Sequence, residues 1–208
     1  APQQAGTKMF LDTNGHLPKG TNLYGSESTI NHIGLKSAGV PGTVAGLYLA
    51  HQKYGHLPWA QLVQPAIDLA LKGFPLPHSL SRSAQYFEAH SPQPFLKDYF
   101  RNKDGKLIQF GELWQQEALA KTLMAIRDHG HDGFYQGWVA EEIANYMEVN
   151  GGLITLEDLA TYTAVERAPM RGTFKGYEIY SMPPPSSGGV ALIEMMNLME
   201  LANLDSIE

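Results

Sequence analysis

The chain has 208 residues. That suits one large domain, or one domain with an appendage, and a domain of this size buries roughly 70% of its unfolded surface. Lysine and arginine number 15 against 21 for aspartate and glutamate, a formal net charge of −6. The acids are scattered along the chain, which argues against a nucleic-acid partner. No apolar run approaches the ~20 residues needed to span a bilayer, and the absence of cysteine excludes disulfides and thiolate metal sites.

The opening stretch to about Ser37 is rich in Gly, Asn, Thr and Ser and reads as loop, with a short helical turn near Lys8-Met9-Phe10-Leu11. From Pro41 a helical spacing sets in through Val44, Leu47, Tyr48 and His51, and Gly55 follows as a stop. Pro58 suits the first turn of another helix. Pro65 breaks that pattern, which resumes through Ile67, Leu69, Ala70 and Leu71 to Gly73, so the spacing predicts a short helix, a proline step and a second helix. A further helix is predicted from Pro77 to about Ala89, followed by a loop marked by Pro92 and Pro94. Asn102-Lys103-Asp104-Gly105 signals a turn, after which Leu107, Ile108 and Phe110 suit a short edge strand. Helix resumes from about Leu113 to His129, with Leu119, Leu123 and Ile126 inside, Lys121 and Arg127 outside, and Gly130 and Gly133 ending it. Val139 to Met147 forms the next helix, ended by Gly151-Gly152.

Thr155-Leu156-Glu157-Asp158 puts a hydroxyl at a cap and an acid three residues on, so a short helix should run through Leu159 and Ala160. The period then changes: Tyr162 to Phe174 and Tyr177 to Met182 read as two strands joined at Lys175-Gly176. The last helix runs from Gly189 toward Ala202. Glu194, Asn197, Glu200 and Asn203 make a narrow polar line on an otherwise apolar cylinder, which wants burial on most of its circumference. The fold class is therefore mainly α with a small β part: a helical module over residues 1–161, then a β-hairpin and apolar helix over 162–208 that do not complete a domain.

Candidate chemistry is sparse. The run Met182-Pro183-Pro184-Pro185-Ser186-Ser187-Gly188-Gly189 ends a strand, because three prolines remove ladder donors. Ser186 or Ser187 can then cap the next helix, while Gly188 and Gly189 leave room for another backbone or a ligand. A serine nucleophile there would lack a Gly-Xaa-Ser-Xaa-Gly elbow, and an anion at the helix start is a lesser alternative. His129 and His131 flank Gly130 without a third ligand at metal spacing, so they read as a solvated helix end, and His51 and His56 likewise. Glu166-Arg167 are strand neighbours that point to opposite faces and read as structural. Trp59, Trp114 and Trp138 read as core anchors, and Met195, Met196 and Met199 as core or interface. No cofactor-binding or metal-binding residue is assigned within the chain, and no cofactor is implied.

Tyr177 through Val190, with its Pro-Pro-Pro-Ser-Ser-Gly-Gly run, closely resembles a segment of the large subunit of the γ-glutamyltranspeptidase family. Val40-Pro41-Gly42-Thr43-Val44-Ala45-Gly46-Leu47, Gln64-Pro65-Ala66, Phe134-Tyr135-Gln136-Gly137 and Asn150-Gly151-Gly152-Leu153-Ile154-Thr155-Leu156-Glu157-Asp158-Leu159 resemble further family segments, in family order. The resemblance implies an N-terminal-nucleophile hydrolase of αββα scaffold, incomplete here, whose precursor cuts itself into two subunits. It implies a small-subunit N-terminal threonine that attacks the γ-glutamyl carbonyl, with its own α-amino group as base. It also implies a large-subunit arginine that grips the substrate's α-carboxylate.

Ala1-Pro2 looks like the end of the family's Arg-Glu-Xaa-Ala-Pro segment, which would put that arginine three residues before Ala1. The threonine would follow Glu208, so by this carry-over the chain holds no catalytic residue and is expected to be inactive alone; its Ala1-Pro2-Gln3-Gln4 start, without an initiator methionine, reads as that of an excised piece. Its implied partners are the small subunit, the preceding part of the large subunit and small γ-glutamyl substrates, with self-association through the last helix in isolation. The parent is expected to be periplasmic or secreted. Two alternatives stay open: a related acylase or peptide transferase on the same scaffold, and a non-catalytic helical interaction module.

Overall fold

The structure is a computed structural model and describes residues 1–12, 14–16, 19–21, 27–29, 34–90 and 99–202. The chain divides into two compact units, Ala1–Ala164 and Val165–Glu208. In the first, a two-stranded ladder of β1 (Lys19–Thr21) and β2 (Glu27–Thr29) lies in the stretch read as loop. A 3-10 turn at Leu35–Ser37 leads to α1 (Thr43–Tyr54) and α2 (Trp59–Lys72). Next come β3 (Phe74–Pro75), α3 (His78–His90), β4 (Leu113–Trp114) and α4 (Glu117–His129). The unit closes with α5 (Asp132–Tyr135), α6 (Gly137–Val149) and α7 (Leu156–Ala160).

Helix α2 runs unbroken across Pro65, where the sequence predicted a step. Gln61, whose carbonyl loses its helical donor, and Pro65 itself are both exposed, so water can meet that carbonyl. The packing of Ile67 and Ala70, both buried, then holds the helix together. Leu113-Trp114 is strand rather than helix, pairing antiparallel with Phe74-Pro75. The predicted edge strand at Leu107 is reduced to a single bridge with Arg101 across the expected Asn102–Gly105 turn. On α4 the buried positions are Ala120 and Ile126, while Leu119 is exposed. Gly133 ends nothing: it sits within α5, where a Cβ would overlap the Ala125 carbonyl oxygen. The predicted loop around Pro92 and Pro94 lies outside the described residues.

Among the described residues the first unit has two cores. One gathers Ala45, Tyr135, Ala140, Met147, Ile154 and Leu159 from α1, α5, α6 and the segment around α7. The other gathers Leu76, Ala84, Phe100, Ile108 and Trp114, with Phe100 stacked on Trp114 at 5.6 Å.

In the second unit, β5 (Met170–Phe174) and β6 (Tyr177–Ser181) form an antiparallel hairpin, and α8 (Gly188–Leu201) packs on it. The ladder begins at Met170, eight residues later than the Tyr162 start that the alternation suggested. Lys175 (φ 47) and Gly176 (φ 83) supply the two left-handed positions of its tight turn. Gly172 lies under Ile193, the buried anchor of α8. Much of the rest of α8 is bare: Met195, Leu198 and Met199 are all exposed. The Glu200 carboxylate accepts from the Lys175 N–H at 3.0 Å, and Asn203, last of the predicted polar line, lies outside the described residues.

Candidate functional site

Strand β6 ends at Ser181, and the three prolines lead into the first turn of α8. Ser187 occupies the cap position but its side chain makes no capping bond, whereas the Ser186 hydroxyl accepts from the Gly188 N–H at 3.3 Å. A Cβ at Gly189 would overlap the Met182 carbonyl oxygen, so the approaching group that the glycines permit is backbone of the same chain. Among the described residues neither serine hydroxyl is bonded to a histidine, lysine or carboxylate that could activate it. The run is a joint between strand and helix.

The other quoted motifs meet in space. Helix α1 begins at Gly42, a cap residue with no side chain to offer, and a Cβ there would overlap the Tyr162 hydroxyl. The acceptor comes from elsewhere: the Tyr135 hydroxyl accepts from the Ala45 N–H at 3.3 Å and donates to the Pro41 carbonyl at 2.6 Å. Tyr135 is fully buried and stacks between His131 at 4.4 Å and Tyr162 at 5.4 Å. Burial pushes its hydroxyl pKa up; the Ala45 N–H opposes this and Tyr162 adds to it, so the phenol stays neutral and keeps its proton to donate.

Thr155 and Asp158 complete the predicted capping box: the Asp158 N–H donates to the Thr155 hydroxyl at 3.1 Å and the Thr155 N–H to Asp158 Oδ2 at 2.9 Å. Gln64 bridges α2 to α4, accepting from Arg127 at 2.8 Å and donating to Asp68 at 2.7 Å. Each motif outside the proline run is thus a fastening of the helical unit.

The histidines divide. His129 is exposed in the last turn of α4, as a solvated helix end should be. His131 corrects the solvated reading: it is half-buried, stacked on Tyr135, and bonded through Nδ1 to Asp132 at 3.0 Å and through Nε2 to the Tyr162 carbonyl at 3.3 Å. His51 bonds the Leu57 carbonyl at 2.8 Å beside the Trp59 ring, and His56 is exposed. No three histidine, aspartate or glutamate side chains group as a metal site among the described residues.

Trp59 donates to the Ile126 carbonyl at 2.8 Å and Trp114 is buried, but Trp138 is about half exposed on the rim of a surface cleft of about 740 Å³ with Lys121, Asp128, His129 and Asp132. Glu166 and Arg167 are exposed and precede the ladder. Among the described residues no serine or threonine hydroxyl is bonded to a histidine. Sequence reasoning missed the remote cap by Tyr135; the signal for it was a helix start with glycine where an oxygen-bearing side chain belongs.

A sequence profile described as gamma-glutamyltranspeptidase matches residues 1–208. The chain is 42% identical over 201 residues to the glutathione hydrolase proenzyme of Escherichia coli K12, covering 96% of this chain and 33% of that protein. It superposes on the gamma-glutamyltranspeptidase of Helicobacter pylori with a TM-score of 0.90 and 41% identity, covering 100% of this chain and 57% of that one. The transpeptidase CapD of Bacillus anthracis matches with a TM-score of 0.70 and 38% identity over 80% of this chain and 56% of that one. The chain spans about a third of the length of the curated relatives it matches. With its fastenings, fold and whole length in agreement, the chain belongs to the γ-glutamyltranspeptidase family, a family of γ-glutamyl-transferring and -hydrolysing enzymes.

Proposed function

We propose that this chain is the C-terminal part of the large subunit of a γ-glutamyltranspeptidase with an N-terminal-nucleophile hydrolase scaffold. The parent cleaves the γ-glutamyl amide of glutathione and related compounds. A threonine freed by self-cleavage attacks the γ-carbonyl, its α-amino group takes the proton, and the amine departs from an acyl-enzyme. Water or the amine of an amino acid or peptide then accepts the γ-glutamyl group. An arginine three residues before Ala1 holds the substrate's α-carboxylate in two parallel bonds. In this reading the 208 residues contribute scaffold, and the bare side of α8 is where the small subunit packs.

The observation that carries the reading is the likeness along the whole chain, and three of its motifs close one helical core rather than recurring as isolated words. The test compares the full-length parent with the 208-residue chain on a chromogenic γ-glutamyl anilide. The parent is expected to turn it over and the chain alone to be inert. Activity in the chain alone that survives Ser186→Ala and Ser187→Ala would overturn the assignment of roles. A second reading, a transferase or acylase taking another acyl group, draws on the likeness to CapD. A panel of acyl anilides on the parent separates the two.

A further inference from the structure

Asp158 is only 4% exposed, and its two carboxylate oxygens serve different parts of the chain. Oδ2 accepts from the Thr155 N–H and from the Thr155 hydroxyl, at 2.9 and 2.8 Å, which caps its own helix. Oδ1 accepts from the Gln3 N–H at 2.6 Å, across 155 residues of sequence. Burial works to raise the Asp158 pKa. The bonds from Thr155 and Gln3 outweigh it and hold the carboxyl below its usual range, so the acceptor is charged at neutral pH and its bonds are of the stronger, charge-assisted kind. Gln3 is the second residue of a turn closed by the Ala5 N–H on the Pro2 carbonyl at 3.0 Å, and Pro2 is buried. The segment is therefore held twice, by the packed proline ring and by the Asp158 pin.

From this geometry we infer that Asp158 is a positioning residue for the grip on the substrate's α-carboxylate. It fixes the backbone of Gln3, and so the direction from which the preceding polypeptide meets the scaffold. The inference rests on the proposed function, in which the gripping arginine lies three residues before Ala1. Five residues separate that arginine from Gln3, a reach of at most about 18 Å, so a shift at Gln3 is passed on along a short tether. Asp158 itself touches no substrate. A capping aspartate would need only one oxygen on Thr155; the second oxygen on Gln3 is what the capping role leaves unexplained.

The experiment uses the full-length parent and two probes: the γ-glutamyl anilide, and the γ-aminobutyryl anilide, which lacks the α-carboxylate. Gln3→Pro deletes the donating N–H, with the exposed glutamine side chain, and puts the ring Cδ against the Asp158 carboxylate, at a second turn position whose backbone suits proline. Asp158→Asn cannot accept from Gln3 and from Thr155 at once. Both are expected to raise KM for the γ-glutamyl anilide about tenfold, the scale of a small misplacement of a binding group, with kcat within about twofold. On the γ-aminobutyryl anilide both should match wild type. Thr155→Ala loses the cap but keeps the Gln3 bond, and should leave KM unchanged.

An unchanged KM in Gln3→Pro, or an equal loss on both anilides, overturns the positioning role. Should Asp158→Asn fail to mature, Gln3→Pro decides alone. A wild-type parent without γ-glutamyl turnover overturns the functional reading and this role with it, whereas an active wild type with an unmoved KM in Gln3→Pro overturns this role only.

Discussion

Replacing Tyr135 by phenylalanine removes one oxygen and keeps the ring stacked between His131 and Tyr162. Two partners lose it. The Pro41 carbonyl belongs to an exposed residue, so water replaces the lost donor and the net cost there is about 1 kcal/mol. The Ala45 N–H belongs to a residue 3% exposed, in the first turn of a helix whose cap has no side chain. Left without an acceptor, it costs about 1–3 kcal/mol. The sum, about 2–4 kcal/mol, corresponds to a fall in Tm of roughly 4–16 °C for a protein of this length. Thermal and urea unfolding followed by circular dichroism reads the loss, and amide exchange at Ala45 locates it, with protection expected to fall at that position. A serine at position 42 should not restore stability, because its Cβ would overlap the Tyr162 hydroxyl. A Tm within about 2 °C of wild type, with Ala45 still protected, would refute the remote cap.

Two further outcomes follow from close approaches and charge. Gly189→Ala should destabilise the hairpin unit, because its Cβ meets the Met182 backbone. Gly188→Ala has only Ser186 Oγ nearby, at 3.6 Å, and should be neutral or gain up to about 1 kcal/mol of helix propensity; limited proteolysis of the two variants reads the contrast, and equal resistance would sink the packing argument. Asp158 has a lowered pKa when folded, so its ionised form contributes stability in full above the unfolded aspartate value of about 3.9, and that contribution is lost as pH falls through the lower folded value. The stability gap between wild type and Asp158→Asn should stay level between about pH 5 and 8 and close in acid; a gap that widened in acid would contradict the assigned direction.

What the sequence makes legible is what a few neighbouring residues decide. Gly55 after α1, the Thr155–Asp158 box and the Lys175-Gly176 turn all act within one turn of chain, and all stand where their residues put them. The strands Phe74–Pro75 and Leu113–Trp114 did not show, because two residues carry no period and each is defined only by the other. The sequence predicts a break in α2 because Pro65 is a local signal, whereas the burial of Ile67 and Ala70 that overrides it is not. His131 departs from the solvated reading because its Nε2 partner, the Tyr162 carbonyl, lies 31 residues away, although the Tyr135 ring four residues on is within local reach. At the candidate site the capping half of Asp158 was legible, but its hold on Gln3 was not, since nothing local links residues 155 positions apart.

That last bond also sets an order of assembly. At ribosomal rates of about 5–20 residues per second, roughly 8–30 s pass between the synthesis of Gln3 and that of Asp158. Helices such as α1 and α2 complete their own hydrogen bonds in that interval, but the segment around Gln3 has no Asp158 carboxylate to hold it. Closing a loop of this length costs about 4–5 kcal/mol of chain entropy, which argues for a late step after the intervening helices have shortened the gap. The segment around Gln3 is thus among the last to settle, and a ribosome that stalls before Asp158 leaves it untethered.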